Sequence, residues 1–329
     1  MMRYIIYGAG AIGGTIGARL YQHGHDVVLI ARGAHLEAIQ ERGLIFKSPS
    51  ETVTLPISSV RHPSEMEFKT EDVVFLTMKT QDTLEALEAL RDQAGEDIPV
   101  ICSQNGVANE RMAARRFSRV YGMVVMLPAS HMEPGIVQTE SRTTTGILDA
   151  GCFPSGIDAV IQEVTATLSA SNFSASADPS IMRWKYAKLL MNLGNSLQAL
   201  CEPQGNEAQD IMRLATREAL HCYEAAGIQC ASRDEMNDRR ADHIQLAPID
   251  GRQRSGGSSW QSIARGAGSI EADYLNGEIV LLGKLHGVAT PANRVLQQLA
   301  NRLVKEGGRP GSYSVGQVRT FVTEAGGKL

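Results

Sequence analysis

Residues 4–31 read as strand, turn, helix and strand. The apolar run Tyr4-Ile5-Ile6-Tyr7 leads directly into Gly8-Ala9-Gly10-Ala11-Ile12-Gly13, a helical stretch runs from Ala11 to about His23, and a second β-branched run follows from Asp26 to Ala31. That succession is a βαβ unit. Its glycines have separate jobs: Gly8 makes the tight turn, Gly10 lets the backbone approach a pyrophosphate, and Gly13 lets the helix pack closely on the strand. Free N–H groups at the helix start, with the positive end of its dipole, would hold the phosphates. The same glycines, with Gly14 and Gly17, interrupt what would otherwise imitate a secretory signal from Tyr4 to Leu20.

The alternation continues with strand candidates at Val73–Thr77 and Val100–Cys102, separated by a helix-like segment from about Asp82 to Leu90. Strands alternating with helices predict a parallel sheet with right-handed crossovers. Short extended runs at Val120–Met126 and Gly135–Thr139 predict antiparallel strands at the edge of that sheet. After a helix near 156–169, the small polar run Ser171 to Pro179 has the composition of an inter-domain connection. Beyond it strand signals stop, and Ile181–Leu200, Ala208–Ala226, Ile270–Leu285 and Asn293–Val304 carry helical apolar spacing. The expected fold is α/β: an N-terminal Rossmann-type doubly wound sheet over 1–178, then an all-helical domain over 179–329.

Composition removes other classes. The 329 residues suit two domains, and 43% hydrophobic with 21% charged residues is ordinary for a globular chain. A net charge of -4 offers no basic excess for nucleic acid or an anionic membrane, and no run of 18 apolar residues offers a membrane span. Five widely spaced cysteines without a CxxC pair fit neither a disulfide framework nor a zinc knuckle, and point to a reducing cytoplasm. The eight histidines show no metal-ligand spacing, so no metal site is expected. Oligomeric state is not written in these features, and a homodimer stays open.

The second strand ends Ala31-Arg32, where an NAD-preferring chain usually places a carboxylate for the ribose 2′-hydroxyl. A guanidinium there suits a 2′-phosphate and favours NADPH/NADP+. Lys79 and Asn105 follow the next two strands, at the carboxyl ends where an open α/β sheet places its ligands. In the helical half, Lys185, Lys188, Asn192, Asn195 and Ser196 fall within about 100° of one another on one helix, with leucines covering the rest. Asn is a weak helix former, and its presence in that stripe suggests a ligand rather than a solvated face. Downstream stand Ser258-Ser259-Trp260 and Glu271-Ala272-Asp273-Tyr274-Leu275-Asn276-Gly277.

Taken in order, GAGAIG, the Arg after the second strand, Lys79, Asn105-Gly106, the Lys188/Asn192 helix and the Glu271-to-Gly277 segment resemble the ketopantoate reductase family over essentially the whole chain. The resemblance implies NADPH-dependent reduction of 2-dehydropantoate to pantoate, in the route to pantothenate and coenzyme A. It puts the general acid on Lys188 and the active-site carboxylate on Glu271. It puts nicotinamide-side residues on Lys79 and Asn105, a substrate-hydroxyl contact on Asn192 and a substrate-carboxylate contact on Ser259. The family's second Asn, four residues after Asn192, is Ser196 here, with Asn195 beside it, so either residue could take that role. Two alternatives stay open: a reductase of another small 2-oxo acid, and a non-catalytic NADPH-binding sensor, which would have no need of Lys188 and Glu271.

Overall fold

The computed structural model describes residues 2–201, 205–241, 243–251, 256–266 and 268–329. The chain forms two compact units: Met1–Gln104, Asn109–Lys185 and Ser232–Arg254 make the first, and Asn105–Ala108, Tyr186–Ala231 and Ser255–Leu329 the second.

The first unit opens with β1 (Arg3–Tyr7), α1 (Ala11–Gln22), β2 (Asp26–Ile30), α2 (Gly33–Arg42), β3 (Leu44–Ser48), β4 (Glu51–Leu55) and β5 (Ser58–Val60). It continues through β6 (Asp72–Leu76), α3 (Thr83–Ala94), β7 (Val100–Cys102), α4 (Asn109–Ala113), β8 (Val120–Met123) and β9 (Ala129–Ser130). Then come β10 (Ile136–Thr139), β11 (Ala150–Cys152), α5 (Ala159–Ala170) and the start of α6 (Ile181–Asn192). The main sheet has the order β11-β8-β7-β6-β1-β2-β5, parallel throughout except for β11, which is antiparallel to β8 at one edge. From β1 the chain builds outward through β2 to β5, then returns to β6 on the other side, so the strand order reverses between β1 and β6. This is the topological switch point, where a doubly wound sheet opens its ligand crevice.

The strands are continuously apolar because both faces are covered. Tyr4, Ile6, Val27, Leu29, Val73 and Phe75 enter one core, while Ile5, Val28, Ile30, Val74 and Leu76 enter the other. This is the period-2 alternation of a strand expressed between two apolar environments.

Part of the sequence-based expectation is corrected here. The run 135–139 does not extend the main sheet. As β10 it pairs parallel with β3 and antiparallel with β9, in a separate four-stranded sheet of order β4-β3-β10-β9. The β3–β4 hairpin was not anticipated, although Leu44, Phe46 and Ser48 alternate inward as a half-buried strand requires. Residues 171–179 are not a loose connection either. Ser174, Ser176 and Asp178 exchange backbone hydrogen bonds with residues 146–150, because small side chains suit an edge segment as well as a linker.

Residues 233–250 also return to the first unit. α9 (Arg233–Ala241) is held by a two-pronged contact, Arg239 Nε and Nη2 each 2.7 Å from the Asp149 carboxylate, and by Arg183 Nη2 at 2.6 Å from Glu235 Oε2. Leu246 forms a bridge with Ser141.

Among the described residues the second unit is helical: the rest of α6, α7 (Gly194–Leu200), α8 (Gly205–Ala225), α10 (Ser258–Ala264), α11 (Asn276–His286), α12 (Pro291–Lys305) and α13 (Val315–Glu324). α12 shows why: Ala292, Val295, Leu296, Leu299, Ala300 and Leu303 form one buried stripe at helical spacing. Each fully buried Leu or Val there contributes about 1.5–3 kcal/mol of transfer free energy. The expected single helix Ile181–Leu200 is two, broken at Leu193 before Gly194. Among the described residues no helix is long and apolar enough to cross a membrane.

Candidate functional site

In the first unit the turn after β1 joins a left-handed glycine, a close helix–strand contact and an open helix start. Gly8 sits at φ +106°, and a Cβ there would lie 2.7 Å from Met78 N, so only glycine fits. Gly13 packs α1 on β1 so closely that a Cβ would meet Gly8 O and Thr77 Oγ1 at 2.3 Å. At Gly10, by contrast, a Cβ would meet nothing within 4 Å. Of the three motif glycines, Gly10 is thus the one that faces open space. Gly10 caps α1 with no side-chain hydrogen bond, and the first turn, which begins at Ala11 and Ile12, carries no acidic residue. That helix start can receive an anion.

The turn is held from several sides. Gly8 N and Ala9 N both donate to Ile30 O, at 3.0 and 3.2 Å, and Thr77 Oγ1 donates to Gly8 O at 2.7 Å. His35, on the first turn of α2, was missed by the sequence reading. Gly135 N donates to its Nδ1 at 2.9 Å, so Nε2 carries the proton and donates to Ala9 O at 2.7 Å. Its signal was faint: one His three residues past Arg32.

Arg32 stands immediately before α2, its side chain 68% exposed and its Nη2 3.9 Å from Asp82 Oδ2. Lys79 lies half-buried just before a single 3₁₀ turn, Thr80–Asp82, beyond β6. Lys79 follows β6, which borders the switch point, and Arg32 follows β2, one strand beyond β1 on its other side. Cys102 ends β7 fully buried, and burial pushes its thiol well above the usual range, so it is no nucleophile.

In the second unit the residues of the expected polar stripe separate into distinct roles. Lys188 Nζ donates to Asn192 Oδ1 at 2.9 Å, and Asn192 Nδ2 donates to Asn105 Oδ1 at 3.1 Å. An ammonium has only donors, so it fixes the direction of both amides along this relay. Asn192 is 5% exposed. Asn105 is thus joined to the helix residues by its carboxamide. The Asn105–Ala108 turn lies against the Glu271 segment, since a Cβ on Gly106, itself at φ +79°, would come within 3.0 Å of Tyr274 O. Glu271 is buried at the start of the Ala272–Tyr274 turn, its carbonyl accepting from Tyr274 N and Leu275 N.

Ser196 is turned inward and is 1% exposed. Its Oγ donates to Asn276 Oδ1 at 2.6 Å, and Asn276 Nδ2 donates to Leu193 O at 3.2 Å and to Asn293 Oδ1 at 3.0 Å. Asn293 donates in turn to Ala215 O and Glu218 Oε2. Glu218 also accepts from Ala292 N and Asn293 N at the start of α12, where a negative charge suits the helix dipole. Burial pushes its carboxyl above the ordinary range, against those hydrogen bonds. This chain reaches the carbonyl freed where α6 ends, and so holds the break next to Asn192. Asn195 Nδ2 reaches Ser258 Oγ at 3.5 Å, the neighbour of Ser259, which is 3% exposed. The four residues 252–255 of the Gly- and Ser-rich stretch ahead of Ser258 lie outside the described residues.

The first unit therefore carries a glycine turn at an open helix start with Arg32 at the end of the next strand, and the second carries an ammonium joined to two carboxamides. Ketopantoate reductase PanE/ApbA matches residues 4–154, and the C-terminal part of that family matches residues 180–304. A Pyrococcus horikoshii protein named 2-dehydropantoate 2-reductase is 29% identical over 308 residues, spanning 93% of this chain and 99% of the relative. The crystal structure of a PanE/ApbA family ketopantoate reductase from Ralstonia eutropha JMP134 is similar at 28% identity and a TM-score of 0.79, covering 93% of this chain and 99% of that one. D-mandelate dehydrogenase, solved with NADH and anilino(oxo)acetate, shares the fold at 22% identity and a TM-score of 0.78, over 93% of this chain and 99% of its own. With both of the family's parts matched in order along most of its length, the chain belongs to the ketopantoate reductase family.

Proposed function

We propose that this oxidoreductase reduces 2-dehydropantoate to pantoate with NADPH, in the route to pantothenate and coenzyme A. The observation that carries the reading is the Lys188–Asn192–Asn105 relay. Bound NADPH supplies the hydride that C2 of the oxo acid receives. Lys188 then gives its proton to the oxygen that becomes negative, and its positive charge stabilises that oxygen as the charge develops. Asn192 orients Lys188 and offers its amide to the substrate hydroxyl. Glu271 supplies the negative charge that keeps the ammonium in place, while Asn195 and Ser259 are assigned to the substrate carboxylate side. Ser196, whose hydroxyl donates to Asn276, supports the helix break. Gly8 to Gly13 hold the pyrophosphate, with Lys79 and Asn105 on the nicotinamide side. In this reading residues 1–178 serve the cofactor and 179–329 the substrate, and the free thiols of all five cysteines fit a cytoplasmic enzyme.

A second reading rests on one observation. Ser196 is committed inward where the family pattern has an Asn, which favours a related small 2-oxo acid as the substrate. Loss of NADPH absorbance on adding 2-dehydropantoate, beside a panel of 2-oxo acids, decides between them. Selective turnover of 2-dehydropantoate supports the first reading, turnover of another acid alone supports the second, and none with any acid overturns both.

The preference for NADPH is assigned to Arg32. Arg32→Ala should weaken NADPH binding by on the order of ten- to a hundredfold, the worth of hydrogen bonds to a charged group, and leave NADH within about twofold. Fluorescence titration with each cofactor measures this, and equal weakening of both would remove the assignment.

A further inference from the structure

Lys185 stands one helical turn before Lys188 on α6, and its surroundings are quite different. It is 2% exposed, with Nζ 2.5 Å from Oε1 of Glu110, a residue with no exposed surface. The same ammonium donates to Gln104 O at 3.0 Å and to Cys102 O at 3.3 Å. The ammonium thus pairs with one buried carboxylate and donates to two backbone carbonyls, an environment of its own rather than a place for a substrate.

A buried ion pair is poor value as a source of stability, since desolvation offsets most of its attraction and apolar residues of similar volume commonly do as well. What this pair touches is more informative. Cys102 and Gln104 lead out of β7 directly into Asn105, and Glu110 opens the helix that follows the 105–108 turn. The pair therefore grips the chain immediately before and after the turn that presents Asn105 to Asn192. A second buried set fixes the same place. Gln104 Nε2 donates to Met78 O at 2.9 Å and to Thr83 Oγ1 at 2.8 Å, and Thr83 Oγ1 donates to Asn109 Oδ1 at 2.9 Å. Asn109 Nδ2 then donates to Thr80 Oγ1 at 3.2 Å, next to Lys79.

We propose that Lys185 and Glu110 are a positioning pair, which holds the 105–108 turn and the start of α6 in the register that the Lys188–Asn192–Asn105 relay needs. The proposal rests on the reading that this relay meets the substrate. Neither residue touches substrate or cofactor, and Lys185 is not the proton donor.

The double variant Lys185→Met/Glu110→Leu removes both charges and leaves no lone buried ion. We expect its melting temperature and its NADPH affinity to stay near wild type, while kcat falls on the order of ten- to a hundredfold, as misplacement of a reacting group by about 1 Å does. The alkaline limb of the kcat profile should keep its position, since Lys188 is untouched. The single variant Lys185→Arg, which keeps a buried cation opposite the retained Glu110, should lose much less kcat than the double variant. Hydrogen–deuterium exchange, read without substrate, should speed up at residues 103–108 and not in β1 or β6. Unchanged kcat and unchanged exchange at 103–108 would overturn the proposal, as would a general loss of stability with kcat intact. If the double variant does not fold, Glu110→Gln is read by the same two measurements. Faster exchange at 103–108 in an enzyme that turns over no 2-oxo acid would leave the positioning intact and overturn the activity reading instead.

Discussion

Lys188→Ala lowers kcat for reduction of the oxo acid by on the order of 10²–10⁴-fold, the usual contribution of a positioned general acid, and leaves NADPH affinity unchanged. Two features support so large an effect. Lys188 is the cation at the head of a directed hydrogen-bond chain, with Asn192 buried beneath it and Asn105 beyond. Alanine would remove both the proton and the charge that the developing oxyanion meets, and both are needed more in the transition state than in the bound substrate. The glycine turn proposed to hold the cofactor, in the other compact unit, would be untouched. Pre-steady-state kinetics at saturating NADPH, beside a cofactor titration, separates the two quantities. A variant that retains wild-type kcat would transfer the proton to another donor; one that loses cofactor affinity instead would make Lys188 part of the NADPH site. Asn192→Ala should show a smaller loss in kcat, since the lysine would remain but its direction would not be fixed.

How far this could be read from the sequence depended on the range of the interaction. The βαβ unit and its glycines were legible because a strand, a Gly-rich turn and a helix N-terminus are local, and the jobs of Gly8 and Gly13 follow from backbone sterics. The helical nature of the second half was legible from periodicity, as in α12. The second sheet was less so, since β10 finds its partner β3 far back in the chain. The return of α9 to the first unit depends on Arg239 meeting Asp149, two charges that sequence alone cannot pair. At the site, a helical wheel could put Lys185, Lys188, Asn192, Asn195 and Ser196 on one stripe, but not foresee the break at Leu193 or the partners across from each. Glu110 draws Lys185 into one buried cluster, and Asn276 draws Ser196 into another. Periodicity reports which way a side chain leaves its helix. What it meets is set by tertiary packing.

The glycines of the turn allow the cofactor assignment to be separated from the fold by two substitutions of the same size. Gly13→Ala should destabilise the first unit by about 3 kcal/mol or more, at the upper end of overpacking costs, because the added methyl would sit 2.3 Å from Gly8 O and Thr77 Oγ1. One of those atoms is backbone, and the turn that owns it is already fixed by Thr77 and by Ile30 O. Relief would require α1 to lift from β1. Gly10→Ala meets nothing within 4 Å, and its φ of -70° is comfortable for alanine, so the melting temperature should stay at the wild-type value. Its methyl would instead occupy the space through which the pyrophosphate approaches the helix N-terminus, and NADPH affinity should fall by at least about tenfold, the equivalent of roughly 1.4 kcal/mol. Thermal melts with and without NADPH read both effects, since a ligand that binds only the folded state raises the midpoint by an amount that grows with the logarithm of its concentration over Kd. Gly10→Ala should melt normally and show a smaller NADPH-induced rise, whereas Gly13→Ala should melt early from the start. A Gly10→Ala protein that keeps the full rise would remove the pyrophosphate from this turn while leaving the strand, turn and helix as they stand.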